Sequence, residues 1–179
     1  IGREGALGEL QSKTSLKGEY RTDVQITSIL NPVTFESTVI NSGAANLVYL
    51  EQEWKWEATG RLTLTNLWLL TYSKMQNNDL PYPDLSAMAI KGKANYRFSP
   101  VFSLEGRGHY QGPSVAAAYP NNGRFHPNYA LFDAELRVTA SKDVQFQAGI
   151  ENLTDNRAEV VLDYPLPGRM VYLGMQVAL

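Results

Sequence analysis

The sequence predicts an all-β protein, an antiparallel transmembrane β-barrel segment of about nine strands, and three observations carry that expectation. Apolar residues recur with period two along stretch after stretch, which places them on one face of a strand and the polar residues on the other. The connections between these stretches alternate short and long, as periplasmic turns and extracellular loops do in membrane barrels. No apolar run approaches the roughly 18 residues of a membrane helix; the longest are pieces such as Leu67-Trp68-Leu69-Leu70.

The first candidate strand is Thr14 to Tyr20, with Leu16, Gly18 and Tyr20 against Ser15, Lys17 and Glu19. A tight Arg21-Thr22-Asp23 turn leads to a second, Val24 to Leu30. A polar connection, Asn31 to Ala45, precedes the third, Asn46 to Trp56, in which Val48, Leu50, Gln52, Trp54 and Trp56 oppose Tyr49, Glu51, Glu53 and Lys55. After Ala58-Thr59-Gly60 the fourth, Arg61 to Ser73, sets Leu62, Leu64, Trp68, Leu70 and Tyr72 against Thr63, Thr65 and Thr71. Trp54, Trp56, Trp68 and Tyr72 are expected near strand ends, in an aromatic girdle.

Met75 to Leu85 is again a long connection. The fifth strand, Met88 to Phe98, turns tightly through Ser99-Pro100-Val101 into the sixth, Phe102 to Gln111. A third long loop, Gly112 to Asn128, leads to the seventh, Tyr129 to Thr139, and Ala140-Ser141-Lys142-Asp143 turns it into the eighth, Val144 to Glu151. The ninth begins near Arg169 and alternates Val171, Leu173, Met175, Val177 and Leu179 with Tyr172, Gly174, Gln176 and Ala178. The polar faces mix both signs, from Lys17 and Glu19 through Lys91, Lys93 and Arg97 to Asp133, Glu135 and Arg137. A soluble sandwich would expose that face, and a lipocalin-like barrel would line its cavity with the apolar one. The loop alternation favours lipid against the apolar face and a lumen against the charged one.

Composition agrees. The net charge of −2 and the lack of a basic run set nucleic acid aside, and the absence of cysteine excludes disulfides and thiolate metal sites. No charged-then-apolar leader opens the chain, as expected of a mature chain or a fragment. Glycines 2, 5 and 8 do not make a phosphate loop, because no strand precedes them and no Lys-Ser/Thr follows.

The most specific stretch is Val144 to Leu179. It reads Glu151-Asn152-Leu153-Thr154-Asp155, then after a gap Tyr164-Pro165-Leu166-Pro167-Gly168-Arg169, then Tyr172-Leu173-Gly174 within an alternating strand. This composite resembles the end of TonB-dependent outer-membrane receptors. Thr154 and Leu179 stand where that family usually has Phe and a terminal aromatic. The resemblance implies the C-terminal part of a barrel of roughly 22 strands, in a bacterial outer membrane, with Tyr172, Gly174, Val177 and Leu179 as the assembly signal. It also implies uptake of a scarce nutrient of siderophore, haem or cobalamin type. The partners it implies are the rest of the barrel, a plug domain, the TonB system acting through that plug, and outer-membrane lipid.

Nine strands are an odd number, whereas bacterial barrels are even, and an open sheet in hydrocarbon leaves edge groups unsatisfied at several kcal/mol each. The expectation is therefore a segment whose missing strands and plug lie elsewhere, with residues 1–11 a flexible extracellular loop remnant and 12–179 the barrel part. If the first stretch is not a strand, a self-closed eight-stranded barrel becomes the alternative, acting as a pore, structural protein or hydrolase.

Ligand-binding candidates lie in the third long loop: Tyr119, Asn121, Asn122, Arg124, His126 and Tyr129 offer aromatic, amide and cationic groups to an anionic or aromatic ligand. Asn77, Asn78, Asp79 and Asp84 carry calcium-type oxygens, but their spacing fits turn formation better. Asn152-Leu153-Thr154 matches a glycosylation triplet and reads as turn chemistry. A Ser-His-acid arrangement would need His109 or His126 beside Ser103 or Ser114 with a carboxylate such as Glu105. Polar residues share the lumen face of any barrel, so that coincidence is expected without catalysis. No catalytic residue, metal site or cofactor is assigned, and the protein is expected not to be an enzyme.

Overall fold

A computed structural model describes residues 9–31, 36–41, 43–76, 81–115, 125–161 and 164–178. The wall is built from β1 (Leu10–Arg21), β4 (Ala45–Glu57), β5 (Leu62–Met75), β6 (Met88–Arg97), β7 (Phe102–Gln111), β10 (Tyr129–Thr139), β11 (Val144–Glu151) and β14 (Met170–Val177). They form one eight-stranded antiparallel sheet in the order β1-β4-β5-β6-β7-β10-β11-β14. The long connections carry three small hairpins: β2 (Gln25–Asn31) with β3 (Glu36–Asn41), β8 (Ser114–Val115) with β9 (Phe125–His126), and β12 (Glu159–Val161) with β13 (Tyr164–Pro165).

The predicted second strand exists, but it pairs with β3 rather than joining the wall. The reason lies in β1, which runs longer than its alternation predicts and occupies the edge of β4 along its whole length, from Leu10 opposite Trp56 to Arg21 opposite Ala45. Leu16 meets Leu50 on one face, while on the other Lys13 meets Glu53 and Lys17 meets Tyr49, its ammonium 5.7 Å from the ring centre. These complementary pairs on both faces specify the register. With β4 so occupied, residues 25–31 pair locally.

This changes the parity. Eight successive antiparallel strands leave β1 and β14 antiparallel to each other, both meeting the short-turn side. Glu9 there accepts a hydrogen bond from Glu57 N (3.0 Å). Leu10 and Gln11 open β1 rather than lying in an extracellular remnant; residues 1–8 fall outside the described residues. Although eight strands match the small-barrel alternative in number, the sheet is open, with β1 and β14 at opposite edges. Self-closure is therefore not what the fold shows.

Register confirms the two faces. Across the sheet, Leu62, Tyr96, Leu104, Leu136, Ala148 and Leu173 form one continuous row. These apolar rows stay open to the surroundings, Leu173 being 83% exposed. Trp54 and Trp68 meet edge to face, 5.7 Å between ring centres. Trp54 and Trp56 lie near the short-turn end of β4 and Tyr72 near the long-loop end of β5, as the girdle requires, whereas Trp68 lies mid-way along β5. Polar residues occupy the opposite rows, where the only buried apolar cluster among the described residues forms at the long-loop end. There Val24, Ala45, Leu47 and Met75 pack with Tyr49, Tyr82 and Leu85, so the loop at 81–87 folds inward over the charged face.

The two faces make opposite predictions for adjacent residues. Leu70→Arg, on the apolar face, is expected to destabilise the assembled barrel by about 2 kcal/mol, as an arginine facing lipid does away from the interfaces. Leu69→Arg, which lands opposite Glu51, is expected to stay within about 0.5 kcal/mol of the parent. Urea unfolding in phospholipid followed by tryptophan fluorescence distinguishes the two.

Candidate functional site: the charged wall and its loop clasp

Two arrangements stand out on the inward face. The first is a belt of alternating charge across β6, β7, β10 and β14. Glu105 and Glu135 lie directly opposite each other and are 2% and 5% exposed. Two facing buried carboxylates need cations, and the alternation of each strand supplies them on the same face. Glu105 takes Lys93 Nζ at 2.7 Å and Arg137 at 3.4 Å. Glu135 accepts from Arg137 Nε and from the Tyr172 hydroxyl. The Tyr172 ring reaches Glu135 by lying over Gly149, where any Cβ would collide with it. Gly174 likewise leaves room for Gln147, whose Nε2 lies 2.7 Å from the position a Cβ would take.

Of the four residues expected to form the assembly signal, Tyr172 thus also serves the inward belt, Gly174 accommodates Gln147, and Val177 stands opposite Val144. Leu179 lies outside the described residues.

The second arrangement explains why the terminal motif is a composite. Asn152 takes a left-handed conformation (φ 52°), which an asparagine tolerates, and is 6% exposed. Its Nδ2 donates to Asn156 O (2.7 Å) and Pro167 O (2.9 Å), and its Oδ1 accepts from Asn156 N (2.9 Å). Its backbone N–H donates to Asp133 Oδ1 at 2.9 Å, tying the motif to the wall. Asp155, also left-handed at φ 52°, accepts from Arg169 N (2.8 Å), while the Arg169 guanidinium donates to Leu153 O (2.7 Å). Gly168 lets this happen, since a Cβ there would lie 2.5 Å from Asp155 Oδ1. The Asn-Leu-x-Asp and Pro-Gly-Arg halves are thus one clasp. Asn152, with both amide hydrogens committed and its side chain enclosed, is turn chemistry and not a glycan acceptor.

Gly168→Ala is expected to cost about 1–2 kcal/mol through overpacking against Asp155. Alanine at Gly60, around which a Cβ meets nothing within 4 Å, should leave the midpoint of urea unfolding unchanged. Equal effects of the two substitutions would contradict the clasp.

The structure divides the ligand candidates. Tyr119, Asn121, Asn122 and Arg124 fall outside the described residues. His126 is 8% exposed and its Nε2 lies 3.1 Å from Asp84 Oδ1. Asp84 N donates to Val115 O (2.7 Å), so the pair fastens the 81–87 loop to the β8–β9 hairpin. Tyr129 begins β10 on the inward face and meets His109 edge to face at 5.7 Å. Asp84 has a positive φ of 56°, in keeping with a turn; Asn77, Asn78 and Asp79 lie outside the described residues. Ser103 and His109 are six residues apart along β7, about 20 Å of strand, too far for hydrogen bonding. Ser114 stands opposite His126, yet His126 Nδ1 has no hydrogen-bond partner. No group of three metal-ligating side chains occurs among the described residues.

No protein-family model matches the sequence and no curated protein matches it. The fold is similar to that of solved outer-membrane receptors. The copper transporter OprC superposes with a TM-score of 0.79 at 16% identity, over 95% of this chain and 28% of that one. The siderophore receptor PirA from Acinetobacter baumannii gives 0.73 at 14% identity, over 95% and 30%. The ferric yersiniabactin uptake receptor FyuA from Yersinia pestis gives 0.72 at 16% identity, over 94% and 27%. The chain therefore spans under a third of the length of the receptors it matches. Its open sheet corresponds to part of their barrels, and the chain has the fold of a barrel segment of the TonB-dependent outer-membrane receptors.

Proposed function

We propose that this chain forms part of the wall and extracellular loops of an outer-membrane receptor that takes up a scarce nutrient of siderophore, haem or cobalamin type with energy from the TonB system. The observation that carries this reading is the open eight-stranded sheet with an apolar outer face, an ion-paired inner face and two edges that no strand among the described residues covers. Each unpaired edge group in hydrocarbon costs several kcal/mol. Because β1 and β14 are antiparallel, the wall that joins them contributes an even number of strands. A plug domain in the enclosed lumen and a bacterial outer-membrane location belong to the same reading. The loop 119–129 is proposed as a ligand-contacting segment, with Tyr119, Asn121, Asn122, Arg124 and Tyr129 offering groups and His126 holding the loop in place through Asp84. Tyr172, Gly174, Val177 and Leu179 are proposed as the signal for barrel assembly. By their own descriptions the similar proteins are a copper transporter, a siderophore receptor and a ferric yersiniabactin uptake receptor, which supports transport over catalysis here.

The test is the intact mass of everything that co-purifies with these residues from native outer membranes in detergent, joined to uptake of radiolabelled ferric siderophore, haem and cobalamin by cells with and without the gene. The expected result is a complete barrel, on one polypeptide or two, and loss of uptake of one nutrient. A folded monomer of this chain alone, with no uptake defect, would overturn the reading.

A further inference from the structure

The apolar face carries a polar patch that contact with lipid does not explain. Along β4, Trp56 marks the short-turn end of this face and Val48, opposite Tyr72, the long-loop end. Gln52 lies midway between them, about 10 Å of depth from either at the tilt of barrel strands. Thr14 and Trp68 flank it in the same row, and Ser12, Trp54 and Asn66 form the next. At that depth hydrocarbon offers no hydrogen-bonding group. The Thr14 hydroxyl donates to Gln52 Oε1, but Gln52 Nε2 reaches only Glu53 O, at 3.4 Å. The Asn66 carboxamide makes no hydrogen bond among the described residues, and its Oδ1 is buried without a partner. Beside it Trp54 and Trp68, each 38% exposed, stand out as a ridge. On β6 and β7 the same face falls away: Gly92 lies opposite Asn66, and Ala94 lies opposite Gly106, where an added Cβ would meet nothing within 4 Å.

We propose that the receptor pairs laterally, within the bilayer, with a second copy of itself through this patch. The occupant must bring its own polar groups to mid-depth, which a protein wall does and an acyl chain does not. A carboxamide both donates and accepts, so two copies of Asn66 satisfy each other. The rows from Ser12 to Gly92 and from Thr14 to Ile90 hold no charged side chain, so identical faces do not repel. Two-fold pairing also requires a surface complementary to itself. An axis along the bilayer normal, passing between β5 and β6, sets the Trp54–Trp68 ridge of each copy against the Ala94–Gly106 trough of the other and brings the two Asn66 side chains together. In lipid, where no hydrophobic drive acts, close approach at small residues and hydrogen bonds between polar side chains are what hold membrane segments together. The inference rests on the proposed assignment of this face to lipid.

The test uses the complete receptor in native outer membranes. Under mild oxidation Asn66→Cys is expected to give a disulfide-linked species of twice the receptor's intact mass, while Leu173→Cys, on the same face at the far side of the sheet, gives none. Gly106→Trp fills the trough from the outside and is expected to reduce the Asn66→Cys crosslink at least tenfold, in a receptor that still migrates as a folded barrel. A folded Asn66→Cys receptor that forms no crosslink overturns the proposal. So does a crosslink that Gly106→Trp leaves unchanged, which is random collision, or one whose mass is that of a different protein. Leu70→Cys reports on the underlying assignment separately. Its protection from a charged maleimide upholds the lipid face whether or not Asn66→Cys crosslinks, and its labelling in intact membranes removes that assignment and the pairing with it.

Discussion

Asn152→Ala is expected to destabilise the assembled barrel by about 4 kcal/mol. Two donated hydrogen bonds disappear, to Asn156 O and Pro167 O, together with the acceptor for Asn156 N. Groups left unpaired in an enclosed site cost about 1–3 kcal/mol each. Alanine in the left-handed region adds about 1 kcal/mol. Asn152→Gly removes the same bonds while tolerating the backbone, so it should recover only that last portion. Urea midpoints in detergent for the two variants separate the hydrogen-bond and backbone contributions. If the two variants were equally mild, within about 1 kcal/mol of the parent, Asn152 would not be the centre of the clasp.

Arg137→Leu should cost about 3 kcal/mol. The substitution leaves Glu105 and Glu135 facing each other with Lys93 and Tyr172 as their remaining close partners. Removing one partner of a fully buried ion pair costs about 3–5 kcal/mol, and the value is discounted because the Arg137 side chain is itself 31% exposed. Adding Glu135→Gln to Arg137→Leu should restore more than half of the loss, since one of the two uncompensated charges is then gone. A double variant no more stable than Arg137→Leu would show that the arginine acts by packing rather than by charge.

Both residues could be seen in the sequence, but in different degrees. Asn152 belongs to a composite pattern that stands out by its turn-forming residues, although the bonds from its amide to Pro167 and from Arg169 back to Leu153 span about fifteen residues and leave no periodic trace. Arg137 is predicted to face the lumen by alternation alone. That it serves two glutamates, one from the neighbouring strand, depends on a register between β7 and β10 that no single strand encodes. His126 shows the opposite case: its chemistry suggested a ligand contact, whereas the docking of one loop on another committed its Nε2 to Asp84. The small hairpins β8–β9 and β12–β13 are too short for period two to reveal.

By itself the sequence determined which residues face which side, because side-chain direction in a strand follows from backbone pleating and needs no knowledge of the neighbour. For the same reason it determined the alternation of turns and loops and the bounds of seven of the eight wall strands to within about two residues, β1 being the exception. Only the tertiary structure decided partners and parity. Residues 25–31 have the alternation of a wall strand, yet β1 matches β4 along its full length on both faces, and an edge of β4 already bonded cannot accept a second strand. Strand identity is written locally in the chain; strand order is settled by competition among distant segments for the same hydrogen-bonding edge.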